Sequence, residues 1–74
     1  MARLPVVSGR DLVRAFRGLG YVLDRQQGSH MILRRESPPH RRLVIPDHKE
    51  IAKGTLRAIL RQAGIAVDDL ERLL

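Results

Sequence analysis

Three histidines, His30, His40 and His48, stand in a 74-residue chain that has no cysteine and fourteen Lys and Arg residues. Imidazole is the side chain whose ordinary pKa lies closest to neutrality, so these rings are the groups able to give and take protons at working pH. Their settings differ. His40 lies between Pro38-Pro39 and Arg41-Arg42 and reads as a solvated loop side chain. His48 follows Pro46-Asp47 at a strand end, where it either shapes the loop or touches substrate. His30 follows Gly28, which lets the chain turn tightly, and Ser29, a small polar neighbour, so its ring projects from the first residue of a strand. His30 is the candidate catalytic residue, and Ser29 and His48 are candidate assisting residues.

The cations point to a substrate class. Twelve of the fourteen are Arg, and the formal net charge is +6. A positive field of that size on a small surface attracts polyanions, and guanidinium grips phosphate through paired hydrogen bonds or stacks on a base. Lys53, Arg57 and Arg61 recur at intervals of four, which makes one row on a helix, and Lys49 precedes that row. The N-terminus of the same helix offers free N–H groups to a phosphate. Arg10, Arg14 and Arg17 form a second row, which a purely solvated helix face would also show. Arg34, Arg42, Lys49, Lys53, Arg57 and Arg61 are the candidate RNA-binding residues. No Cys/His cluster has the spacing of metal ligands, so neither a metal nor a cofactor is expected.

The elements that must position these residues follow from punctuation and period. Ser8 caps a helix carrying Leu12, Val13, Phe16 and Leu19 on one face, with Asp11 in its first turn and Gly20 as its stop. Tyr21 to Arg25 reads as a strand, QQGS as a turn and His30 to Arg35 as a second strand. Two prolines interrupt the chain before RRLVI, a third strand ended by Pro46. After the loop DHKEIAKG, Thr55 is the expected N-cap of a helix carrying Leu56, Ile59, Leu60 and Ala63, with Gly64 as its C-terminal glycine. A short amphipathic helix follows within Ile65 to Leu74.

Alternation places Tyr21, Leu23, Met31, Leu33, Leu43 and Ile45 against the helices. His30, Ile32, Arg34, Arg42 and Val44 then share the opposite face, which nothing in so short a chain remains to cover. The expected class is α+β, in the order α-β-β-β-α with a short extra C-terminal helix, as one domain over residues 1–74. Without cysteine, an apolar leader or a run of membrane-spanning length, the expected setting is the cytoplasm, with no membrane partner.

Gly28-Ser29-His30, Pro46-Asp47-His48, Lys53-Gly54-Thr55-Leu56 and Ile59 to Ile65 occur in the order and at the spacing of one family. In these motifs the chain resembles the HicA toxins, which are mRNA interferases. The resemblance implies a fold like a double-stranded-RNA-binding domain, with helices on one face of a three-stranded antiparallel sheet. It also implies a metal-independent endoribonuclease acting on mRNA, with His30 catalytic, and neutralisation by a HicB-type antitoxin. The alternatives compatible with the same charge and fold are a non-catalytic double-stranded-RNA-binding module and a purely structural interaction domain.

Overall fold

A computed structural model describes residues 3–74. The elements are α1 (Gly9–Arg17), β1 (Tyr21–Gln27), β2 (His30–Arg35), β3 (Arg42–Pro46), α2 (Lys53–Ala63) and α3 (Val67–Leu73). The strands form one antiparallel sheet in the order β1-β2-β3, so His30 opens the central strand. The class is α+β, as the alternation and helix signals require.

Helix α1 begins with a capping box. The Ser8 hydroxyl accepts from the Asp11 N–H, and the Asp11 carboxylate accepts from the Ser8 N–H, which satisfies two of the donors a helix start leaves free. These bonds also hold the Asp11 carboxyl below the usual carboxylate range, the bond from the Ser8 backbone being the largest cause. The helix stops at Arg17, earlier than Gly20. The N–H groups of Gly18, Leu19 and Gly20 close back on the carbonyls three residues earlier, tightening the chain into turns that fold Leu19 against the core.

Helix α2 starts at Lys53 rather than after Thr55. Ile51 is buried and its N–H donates to the Val7 carbonyl at 2.8 Å, and this anchor points the chain into the helix three residues sooner than the cap chemistry suggests. Ala52 occupies the N-cap position without a side-chain bond. Gly64 ends the helix in the left-handed region, and the Arg41 guanidinium donates to the Ala63 carbonyl at 2.6 Å, placing a cation at the negative end of the helix.

The core gathers Leu12, Val13 and Phe16 from α1, Leu56, Ile59 and Leu60 from α2, and Leu70 from α3. From the sheet it takes Tyr21, Met31, Leu33, Leu43 and Ile45, all from one face. The helices therefore cover that face alone. Leu23 departs from expectation: it is 39% exposed, because it lies on the outer strand where α1 leaves a groove lined by Arg10, Arg14 and Arg17. Ile32 departs in the opposite sense. It lies on the open face, outside the core cluster, yet is only 6% exposed.

The sheet has one irregularity. Leu23 pairs with Leu33 and Arg25 with Ile32, so Asp24 is an extra residue bulged out of β1. A bulge resets alternation. Beyond it, Gln26 falls opposite core-facing Met31, while Arg25 and Gln27 fall opposite Ile32 and His30 on the open face.

Candidate active site

His30 is exposed and stands where all three strands meet, opposite Gln27 on β1 and Pro46 on β3. Gln27 and His30 are joined by only two residues, and Gly28, the first of them, has a φ of 57°, which favours glycine strongly. On the other side, the Asp47 N–H donates to the Ser29 carbonyl at 2.6 Å. This bond makes His30 and Pro46 a pair that needs no hydrogen bond between them, so the missing N–H of Pro46 leaves nothing unpaired and the two side chains approach closely.

The turn before His30 is clamped from the helix side. The Gln26 amide lies 3.1 Å from both the Gly28 carbonyl and the Asp47 carboxylate. Arg10, in the first turn of α1, donates to the same carboxylate at 3.3 Å. The Asp47 carboxyl is held below its ordinary pKa by the Arg10 bond first, then by the Gln26 bond, with the charges of Arg10 and His48 adding to the effect. The Gly9 N–H donates to the His48 carbonyl at 2.9 Å, which presses the start of α1 onto the 46–48 segment. A methyl group at Gly9 would overlap the Pro46 carbonyl oxygen. His48 thus contributes its backbone to this junction, while its side chain is exposed.

The candidate cations fall into two groups. Arg34 and Arg42 pair with each other across β2 and β3 on the face of His30, four positions further along, or about 13 Å by the rise of a strand. Arg34 is 3.7 Å from the Asp24 carboxylate, which offsets the repulsion between two like charges placed opposite each other. Arg42 has no such partner among the described residues and lines a groove of about 400 Å³ with Val44, Thr55, Ala58, Ile59 and Gln62. Lys49 is exposed in the loop before α2, and Lys53, Arg57 and Arg61 are all exposed along that helix, whose buried face is Leu56, Ile59 and Leu60. Sheet face and α2 row are therefore distinct basic surfaces. His40 lies apart, its Nδ1 3.3 Å from the Arg35 carbonyl.

Asp47, Gln26, Gly9 and Arg10 are the residues that sequence reasoning missed as parts of this site. Only the capping signal at Ser8 hinted that α1 would start close by. The face taken by Arg25 was missed as well, because no sequence signal marks the bulge that sets it. Among the described residues no group of three or more His, Asp or Glu side chains comes together to hold a metal ion. No described helix is long and apolar enough to cross a membrane.

The arrangement is an exposed imidazole at the start of the central strand of a small basic domain, with Arg34 and Arg42 further along the same face. No curated protein is similar enough to match the chain. A family model for the HicA toxin of bacterial toxin–antitoxin systems matches residues 9–65. That span begins at the glycine packed on Pro46 and ends just past the C-cap of α2, so it contains the whole sheet, His30 and the row on α2. Matched over well more than half its length, the chain belongs to the HicA family of toxins of bacterial toxin–antitoxin systems.

Proposed function

We propose that this toxin is an endoribonuclease that cleaves mRNA with His30 as its proton-transfer group, and that a HicB-type antitoxin neutralises it. The observation that carries the reading is the exposed His30 at the start of the central strand, its backbone paired with strands on both sides. Pre-organisation of this kind is what proton transfer demands, because a misplaced ring loses rate steeply.

RNA supplies its own nucleophile. The 2′-hydroxyl attacks the adjacent phosphorus and gives up its proton, the bond from phosphorus to the 5′ oxygen breaks, and that oxygen takes up a proton as it leaves. The products are a 2′,3′-cyclic phosphate and a 5′-hydroxyl. His30 serves one of these proton transfers, as base or acid, a role worth about 10²–10⁴ in rate. Ser29 and His48 are the neighbours expected to assist. Arg34, Arg42, Lys49, Lys53, Arg57 and Arg61 hold the flanking phosphates, and the long span between Arg34 or Arg42 and His30 suits them to phosphates beyond the reacting one. Few aromatic side chains are available to stack on bases, so base preference is loose.

An antitoxin that covers the open sheet face with acidic groups blocks both the ring and the phosphate path. The reading places the protein in the cytoplasm, where mRNA is found. The test is induction of wild type and His30→Ala in a bacterial host, followed by growth and RNA integrity. Wild type arrests growth and degrades messages, whereas the variant does neither. Equal arrest by both would remove His30 from the mechanism, and intact RNA under wild type would favour a module that only binds RNA.

A further inference from the structure

From the bulge in β1 we infer that Arg25 contacts the phosphodiester held at His30, as the cation of the cleavage site itself. The inference rests on the reading of His30 given above. Counted by simple alternation from buried Tyr21, position 25 would face the helices. The extra residue at Asp24 reverses that: Arg25 pairs with Ile32 and so shares the open face with Ile32 and His30. Gln26 supports the reversal independently. Its side chain bonds Asp47, which Arg10 of α1 also bonds, so Gln26 lies on the helix side and its neighbour Arg25 on the other.

Arg25 and His30 are diagonal neighbours, because Gln27 opposes His30 and Arg25 opposes Ile32. Diagonal positions on one sheet face are about 7–8 Å apart at their Cα atoms, within reach of a side chain as long as arginine. Arg34 and Arg42 stand twice as many positions from His30 along the face. Arg25 is also exposed, and none of the ion pairs among the described residues engages it, whereas Arg34 is held by Asp24. The bulged residue thus supplies a partner for the distant arginine while its insertion brings the near one to the histidine. Ile32, shielded to 6% exposure between Arg25 and Val44, gives the guanidinium an apolar floor to lie on. An arginine so placed can span two phosphate oxygens and stabilise charge as the phosphorane forms.

The test uses the full chain and a labelled single-stranded RNA. Single-turnover cleavage is measured for wild type, Arg25→Gln, Arg25→Lys and Arg72→Gln, the last an exposed change on α3 away from the site. RNA affinity is measured across salt concentrations for His30→Ala with and without Arg25→Gln. Arg25→Gln should lower the cleavage rate by about 10²-fold, Arg25→Lys by less, and Arg72→Gln not at all. Losing one phosphate contact should make the slope of log affinity against log salt shallower by about 0.7. Cleavage by Arg25→Gln at the wild-type rate would overturn the assignment. Should wild type itself fail to cleave, the nuclease reading fails separately and the salt slope decides: a shallower slope upholds the phosphate contact at Arg25, and an unchanged slope overturns it.

Discussion

The carboxylate of Asp47 accepts from the side-chain amide of Gln26 at 3.1 Å, across the gap between the end of β3 and the outer strand. The bond closes a ring of contacts around the Gly28-Ser29 turn: Gln26 also reaches the Gly28 carbonyl, and the Asp47 N–H reaches the Ser29 carbonyl. Both strands flanking His30 are thereby tied to each other as well as to β2, so the backbone that carries His30 is held by a clamp on the helix side of the sheet.

Replacing Asp47 with Ala should therefore reduce the cleavage rate by roughly 10-fold with little change in RNA affinity, since a shift in the turn misplaces the ring without removing it. Single-turnover rates and binding isotherms separate these effects. The stability contributed by Asp47 has a definite sign with pH. Its folded pKa lies below the ordinary value, so the contribution is present in full above the ordinary Asp range, about pH 4, and disappears as pH falls through the lowered value. Denaturant midpoints of wild type and Asp47→Ala should differ at neutral pH and converge in acid.

Gly9 is the most closely packed of the glycines. Its missing side chain lets α1 start against the Pro46 carbonyl, and the added methyl of Gly9→Ala must push helix and strand apart. The cost expected is about 3 kcal/mol, at the upper end for overpacking, which for a domain of this size lowers Tm by more than about 10 °C. Thermal unfolding followed by circular dichroism gives the answer, and a Tm within a degree or two of wild type would show that the junction yields easily.

On the proposed function, the row on α2 should bear on affinity and not on chemistry. Arg57→Gln with Arg61→Gln should weaken RNA binding and make the slope of log affinity against log salt shallower by about 1.4, two phosphate contacts on single-stranded RNA. An unchanged slope would show that the row faces bulk solvent in the complex.

Association with an antitoxin should hide the open face. Co-expressed with the product of the adjacent gene, the chain should co-purify with it, and cleavage of added RNA should be suppressed until the partner is removed. Failure to associate would count against neutralisation by direct contact.

Much of this fold was legible in the residues, because the signals were local. Ser8 with Asp11 announced the start of α1, Gly64 the end of α2, and Gly28 the hairpin that carries His30. The strand His30 to Arg35 has the bounds its β-branched and apolar run suggests. What stayed hidden depends on contacts between segments distant in sequence. The start of α2 was set by the bond from Ile51 to Val7, which overrode the cap preference of Thr55. The bulge at Asp24 can be read only against the register of β2, and with it went the face of Arg25 and the partner of Gln26. Gly9 looks like an ordinary first residue of a helix until Pro46 is brought against it. His30 at a strand start was visible from the sequence, and the contacts of Gln26, Asp47 and Gly9 around its turn were not.

The most direct measurement is cleavage of a labelled single-stranded RNA by purified wild type and His30→Ala, with RNA affinity measured on the same samples. The variant should lose at least about 10²-fold in rate while its affinity and its melting temperature stay near those of wild type. Cleavage by the variant at an undiminished rate would contradict a catalytic His30.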